Sequence, residues 1–391
     1  MKIAPGWSHS SAYYGFLFLA LGAHLPFWPL WLRDWGLSEA EIGTYLAAAV
    51  AARVVLGVAL PWLADRLNAP RRVLAGLGAV GVALFAAHVL IDSRPMLLAA
   101  TMATAAVTAG VLPVADALTL RAARRGGWAY ATARSVGSAA FLAANLICGL
   151  AVARYGSDAA LWWIVVSFIP LIWLGLRHPG GAGTPVERPR LGDAARLLRS
   201  PIFIAAMVAA AAMQAAHAPL YAYGSIHWSV AGIENSTIGA LWAWGVALEV
   251  AVLALFGRAL IARLGVTGAF ALGGVAGVIR WGVMITDPSG VGLWAMQALH
   301  ALTFTAPHLA AMAFVDRAAP ATLTATAQGL VGALAGGAFM ALNGLLAAVV
   351  YPIAGSGVFW LGFGFCIIGL IATLALSLLW RGEPALFEPA K

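Results

Sequence analysis

Runs of about 18–25 mostly apolar residues follow one another along almost the whole chain, each long enough to cross the ~30 Å hydrocarbon core of a bilayer as a helix. Unpaired backbone groups are intolerable in lipid, so a spanning segment is either a helix or a strand of a closed barrel. The short alternating pattern of a barrel is absent, and the runs read Ala/Leu/Val/Gly throughout. Charge gives the same answer. Charged residues make up 10% of the 391 and hydrophobic ones 62%, whereas a soluble domain carries roughly 25% charged residues to face water. With a mean hydropathy of +0.89, the chain lacks the surface of a soluble protein. The expected class is an all-α transmembrane fold.

The segments are placed at about 11–32, 40–62, 72–91, 95–118, 130–153 and 159–176, then at 202–226, 237–257, 266–286, 290–314, 323–349 and 356–380. Between the two sets, Arg177 to Ser200 is rich in Gly, Pro and Arg. This divides the chain into a six-helix bundle (1–176), a linker loop (177–200) and a second bundle with a short tail (201–391). The first segment is too long for a signal peptide and has no clear small-residue cleavage site, so it is expected to be retained.

The formal net charge of +8 would suggest nucleic acid in a soluble protein, but here it sorts by loop. With the N-terminus inside, Lys2, Arg66, Arg71, Arg72, Arg121, Arg124, Arg125, Arg177, Arg188, Arg190, Arg196, Arg199, Arg258, Arg263, Arg317, Arg381 and Lys391 share one side. Only Arg33, Arg94 and Arg154 fall on the other. That asymmetry implies a multi-pass protein of a bacterial-type inner membrane with both termini cytoplasmic and no nucleic-acid partner. Cys148 and Cys366 lie inside apolar segments and read as small hydrophobes. Trp28, Trp31, Trp62, Trp162 and Trp163 read as interface anchors.

The halves resemble one another. Ala23-His24-Leu25-Pro26 recurs as Ala216-His217-Ala218-Pro219, and the loop Gly36–Gly43 as Gly232–Gly239. Ala131-Thr132-Ala133-Arg134 recurs as Ala325-Thr326-Ala327-Gln328, and Arg53 falls on Glu249. Six spans per copy make parallel repeats, a plan in which a ligand sits between halves near mid-membrane.

Intramembrane ionisable groups cost at least ~2.5–3.5 kcal/mol each and default to function or pairing. Five stand out: Arg53, Asp116, Arg134, Glu249 and Arg280. Three positive against two negative suits an anionic ligand. Glu249 has Trp242 and Gly245 on its helical face and reads either as a titrating site or as a static pair with Arg280 or Arg53. Asp116 and Arg134 lie near the ends of spans 4 and 5, where a helix-end salt bridge or gate is the plain reading. The Arg134 face continues through Ser138, Phe141 and Asn145 like a cavity stripe. Span 7 carries Gln214, His217, Tyr221, Gly224 and Trp228 on one face; span 10 carries Gln297, His300, Thr303 and Pro307, with His308 adjoining. Of His24, His217, His300 and His308, at least one is expected to line a cavity. No HExxH, GxSxG or paired-aspartate constellation points to an enzyme. Asp65 and Arg66, with Arg71 and Arg72, read as a charge gate or a generic basic loop.

That loop, Leu63-Ala64-Asp65-Arg66, resembles the loop 2–3 signature of the major facilitator superfamily, with Pro61 and Asn68 where glycines are usual. Within it the chain resembles the 3-phenylpropionate permease group, itself similar to lactose-permease and nucleoside–proton symporters. The resemblance runs from span 1 to span 12. It is carried by Leu25-Pro26-Phe27-Trp28, Ala52-Arg53, Asp116-Ala117-Leu118, Gly137-Ser138, Ala215-Ala216-His217-Ala218, Leu248-Glu249-Val250, Arg280-Trp281-Gly282 and His308-Leu309-Ala310-Ala311-Met312.

The resemblance implies a twelve-helix fold of two six-helix bundles about a pseudo-two-fold axis along the membrane normal. It further implies substrate contact at Arg134, a proton network of Glu249, Arg280 and His300, and a span 4 carboxylate at Asp116. Thr303 departs from the sugar permeases, which carry a glutamate there. The expected function is alternating-access symport of protons with a small aromatic acid. Substrate contacts are expected at Arg134, Asn145, Gln214, His217, Tyr221, Trp242 and Arg280, and coupling at Glu249, His300, Asp116 and Arg53. No cofactor beyond the proton gradient is expected, and the chain is expected to work as a monomer in the bilayer. Sugar or nucleoside symport, and drug or metabolite efflux, stay open as alternatives.

Overall fold

The computed structural model describes residues 5–181, 197–319 and 324–382. Inside a few helices, the side chains of Trp62 and Asp65 among them, lie outside the described residues, as do most of the 177–200 linker and the end of the tail. Every element among the described residues is helical.

The first six are α1 (Pro5–Asp34), α2 (Glu39–Arg66), α3 (Pro70–Ala87), α4 (Arg94–Gly126), α5 (Tyr130–Tyr155) and α6 (Asp158–Leu176). Then come α7 (Pro201–Ala215), α8 (Ala218–Val230), α9 (Asn235–Met284), α10 (Gly290–Ala298), α11 (His300–Ala318), α12 (Thr324–Ala333), α13 (Phe339–Ala354) and α14 (Phe359–Leu379), with a short π-helical turn at Leu334–Ala338. Local chemistry sets several ends. Ser38 and Glu41 form a reciprocal capping box at the start of α2: the Ser38 amide donates to Glu41 Oε2 (2.9 Å) and the Glu41 amide to Ser38 Oγ (3.4 Å). Ser200 caps α7 ahead of Pro201 by accepting from the Phe203 amide. Asn68, where a glycine is usual, takes the left-handed φ of +47°, which asparagine tolerates better than most residues.

Nine helices among the described residues are long and apolar enough to cross a membrane. Two are double length. Asn235–Met284 has 50 residues and is broken at Gly265 (φ 65°, ψ −172°), a backbone region open almost only to glycine. Ala327–Leu379 turns at Gly355 (φ +53°). Each double-length helix thus supplies two of the sequence segments. Three spans are interrupted midway: α7 gives way to α8 at Ala216-His217, α10 to α11 at Leu299, and α12 to α13 at the π-helical turn. The first break is explained by Pro219, which lacks an N–H to continue the ladder. No glycine or proline lies at the second.

The helices form two compact units. One comprises Met1–Val186 with Tyr223–Ala243, the other Glu187–Ala222 with Trp244–Lys391, so the division falls inside α8 and α9. In the first unit α1 packs against α5 and α6, α2 against α4, and α3 against α4 and α6. In the second, α7 packs against α11, α13 and α14. Its core gathers Phe203, Met213, Phe270, Phe314, Leu376 and Trp380. Cys148 and Cys366 are free and buried. Two tryptophans depart from expectation. Trp28 and Trp31, 1% and 4% exposed, are core residues stacked on each other at 4.8 Å, with His24 stacked on Trp28 at 5.2 Å. Trp162, 50% exposed, suits a membrane interface.

Candidate functional site

The two interruptions at His217 and Leu299 meet in the second unit, and there the polar side chains converge. Arg280 on α9 is buried, 1% exposed, with the face of Trp281 4.6 Å from its Cζ. Its Nη2 donates to Gln297 Oε1 (2.8 Å), and its Nη1 to Thr303 Oγ1 (3.0 Å) and His300 Nδ1 (3.2 Å). A guanidinium only donates, so Nδ1 of His300 accepts and the ring proton sits on Nε2. That nitrogen lies 3.1 Å from Glu249 Oε2 and donates to it.

The far end follows the same logic. His217 Nδ1 lies 3.1 Å from the Gln214 carbonyl, an acceptor only, so it donates. His217 Nε2, 3.1 Å from Thr303 Oγ1, therefore accepts the threonine proton. The result is one hydrogen-bonded chain, Glu249–His300–Arg280–Thr303–His217, with Gln297 tied to the arginine. Each histidine bonds through both nitrogens, which fixes its tautomer. Gly245, one turn before Glu249, makes room: a Cβ there would lie 3.2 Å from the Gln297 carbonyl and 3.4 Å from His300 Cβ. Tyr221 stacks on His217 at 5.8 Å, and Phe304 lies 5.4 Å from His300.

Residues expected to act together divide between the units. His217, Tyr221, Arg280, Glu249 and His300 assemble in the second, beside the backbone of Gln214. Trp242 belongs to the first unit, where its Nε1 donates to Ser225 Oγ (2.9 Å) and its ring meets Trp228 edge-on. Arg280 is a hub: both terminal nitrogens are engaged and the side chain is buried.

In the first unit the helix-end salt bridge does not form between Asp116 and Arg134. Instead the phenols of Tyr14 (2.5 Å) and Tyr130 (2.9 Å) both donate to Asp116 Oδ1. The half-buried Arg134 lies with its Cζ 4.1 Å from the centre of the Phe18 ring, a cation–π contact. Asn145 is fully buried; its Nδ2 donates to the Phe141 carbonyl (2.7 Å) while its Oδ1 has no partner. Arg53 lies midway along α2, its side chain not covered by the helices around it. Arg66 is exposed at the end of α2, and the Asp65 side chain lies outside the described residues.

The tyrosine clamp on Asp116 escapes sequence reasoning, because Tyr14 lies 102 residues away and shares no motif with it. The break at Leu299 escapes it too. Its only signal is the pair Gln297 and His300, polar groups on an apolar segment.

A model of the MFS_1 like family matches residues 7–361. The chain belongs to the MFS_1 like family. It is a multi-pass membrane transporter of the major facilitator type, and its relatives within this group are transporters. One is the protein named "Probable 3-phenylpropionic acid transporter" of Escherichia coli (strain K12), 29% identical over 374 residues, covering 92% of this chain and 94% of that one. Another is the "Uncharacterized transporter YwbF" of Bacillus subtilis (strain 168), 23% identical, covering 86% and 84%. Among solved structures, the nucleoside transporter NupG matches with a TM-score of 0.81 at 15% identity, covering 96% of this chain and 99% of NupG. An auto-inhibited POT family peptide transporter matches with 0.70 at 15% identity, covering 99% and 98%. At such identities these structures establish the MFS fold alone.

Proposed function

We propose that this MFS_1 like transporter moves a small aromatic monocarboxylate, such as 3-phenylpropionate, together with a proton by alternating access. It would do so in a bacterial-type inner membrane, with both termini cytoplasmic and one chain as the working unit. The observation that carries the coupling is the chain from Glu249 through His300 and Arg280 to Thr303 and His217. Glu249 is its end, half-buried and held by a hydrogen bond from His300. Protonating Glu249 removes the negative charge that holds the His300 Nε2–H and weakens that bond. Protonating His300 on Nδ1 would oppose the Arg280 donor. Either event loosens the contacts joining α9, α10 and α11, which is what coupling a proton to helix movement requires. The aromatic faces of Tyr221 and Phe304 beside the chain suit an aryl group. The substrate class is supported by the name of the Escherichia coli relative.

The test separates coupling from translocation. In proteoliposomes, Glu249→Gln is expected to keep phenylpropionate exchange between equal pools and to lose accumulation driven by a proton gradient. A Glu249→Gln variant that still accumulates substrate in response to the gradient would overturn the coupling role.

A further inference from the structure

The internal repeat has a further stretch on the fifth and eleventh segments. Ala140-Phe141-Leu142-Ala143-Ala144-Asn145 recurs as Ala338-Phe339-Met340-Ala341-Leu342-Asn343. Both asparagines are fully buried, and both leave Oδ1 without a hydrogen-bond partner. Burying an amide with one end unpaired is costly. The nitrogens carry the compensation, and there the two copies part. Asn145 Nδ2 donates to the Phe141 carbonyl on its own helix (2.7 Å). Asn343 Nδ2 crosses from α13 to α7 and donates to the Ala215 carbonyl (2.7 Å).

That carbonyl is the one the sequence strands. In an unbroken helix it accepts from the amide four residues on, and here that residue is Pro219, which has no N–H. Asn343 supplies the missing donor at the last residue of α7, two before His217. The backbone at the break is drawn tight around the same place. The His217 amide donates to Gln214, three residues back (3.2 Å), its ring Nδ1 turns onto that same carbonyl (3.1 Å), and the His217 carbonyl accepts the Tyr221 amide (3.0 Å). In the first unit the matching proline is Pro26, and α1 runs through it unbroken from Pro5 to Asp34. Gly22 is the repeat mate of Ala215, and a Cβ on it would lie 2.7 Å from the Phe141 carbonyl of α5. With a methyl at that place the same approach is closed to α7 and α13, and a side chain spans between them instead. The broken helix and the crossing asparagine thus occur together in the second unit.

We propose that Asn343 is a positioning residue for proton coupling, a deepening that rests on the symport reading above. By holding the Ala215 carbonyl it fixes the bend of the seventh segment. It thereby keeps His217 on the hydrogen-bonded chain that runs through Thr303, Arg280 and His300 to Glu249. Without that bond the two halves of the segment are free to swing about the break, and the His217–Thr303 contact is the first to be lost.

The experiment is a double-mutant cycle of Asn343→Ala and Pro219→Ala in the full-length protein. Pro219→Ala returns an N–H to the Ala215 carbonyl, so that Asn343 becomes dispensable to it. Asn343→Ala leaves the same cavity in either background, and the difference between backgrounds reads the bond. The drop in melting temperature it causes is expected to be smaller by about 2–6 °C in the Pro219→Ala background. In proteoliposomes with 3-phenylpropionate, Asn343→Ala is expected to lower gradient-driven accumulation relative to equal-pool exchange by about fivefold or more. Loss of folded protein alone scales both alike and leaves that ratio where it was. Should Asn343→Ala fail to fold, the double variant is expected to fold as well as Pro219→Ala does, and its failure to do so overturns the proposal. Equal drops in both backgrounds overturn the bond to Ala215, and an unchanged ratio overturns the coupling role. An unaltered protein that accumulates no 3-phenylpropionate overturns the symport reading, and the melting cycle then decides the Ala215 bond by itself.

Discussion

In the first unit α5 and the start of α9 approach each other backbone to backbone. A Cβ on Gly239 would sit 2.2 Å from the Asn145 carbonyl oxygen and 3.2 Å from the Gly149 Cα. Relaxed carbon–oxygen contact needs about 3.3 Å, so Gly239→Ala demands a separation of about 1 Å. Both sides are backbone, and no rotamer change can supply it. Overpacking of this kind costs about 1–3 kcal/mol, which lowers the population of the packed arrangement by about 5- to 150-fold. A Cβ on Gly149 meets the Asn235 carbonyl at 3.0 Å, so Gly149→Ala should act in the same direction and more weakly. Gly329, with nothing within 4 Å of its Cβ, is the neutral control. The assay is alkylation of Ser225→Cys by a membrane-impermeant maleimide, with Cys148 and Cys366 replaced by alanine. Ser225 is 2% exposed inside the Tyr223–Ala243 segment, so its labelling reports opening of the packing around that segment. Labelling is expected to accelerate in the order Gly239→Ala, Gly149→Ala, Gly329→Ala, with the last at the unaltered rate. Equal labelling in all three would refute the close-packing argument.

Three further outcomes are expected. Arg280→Lys keeps a charge but cannot serve Gln297, His300 and Thr303 at once, and about 3–5 kcal/mol of stability should go with the stranded partners; an unchanged melting temperature would show that the hub is not structural. His178, outside the spans, accepts the Gly180 amide on Nδ1 (3.2 Å) and lies against Thr119 through Nε2 (3.3 Å). Burial first, then His9, Arg71 and Arg121, lowers its pKa to about 3. Since the folded value lies below the unfolded one, its contribution is whole above pH ~6.5 and is lost as pH falls toward 3, about 2 kcal/mol by pH 5. Thermal melts at pH 7.5 and 5 should therefore draw together in His178→Asn, and an equal pH drop in both proteins would exclude this residue. Finally, Tyr14→Phe and Tyr130→Phe each leave Asp116 one phenol, so transport should fall far more in the double variant than the product of the single losses; a simple product would show the phenols acting independently.

How much of this was legible in the sequence depends on the range of the interaction. The bilayer imposes segment length and loop charge, and both are local, so helix ends such as Glu39, Tyr130, Asp158 and Pro201 fall within a residue or two of the segments read from hydropathy. The stripe Gln297, His300 and Thr303 was visible because polar groups at helical spacing are costly in lipid. The link of His300 to Arg280 was visible only through family resemblance and that of Thr303 to His217 not at all, since both partners reach them from other helices. The anchor reading of Trp28 and Trp31 failed because aromatic residues near a span's end suit an interface and a buried stack equally well. Only the position of Phe85 on α3 and of His88 just past its end decides between these. The Asp116 clamp was illegible for the same reason: nothing local in Tyr14 distinguishes a donor from a packing ring.

The most direct test of proton-coupled aromatic acid transport is the internal pH of proteoliposomes bearing a trapped dye when 3-phenylpropionate is added outside at equal pH. The account requires internal acidification that needs the protein and is abolished in Glu249→Gln. Entry of labelled substrate with no proton movement beyond that of protein-free vesicles would contradict it.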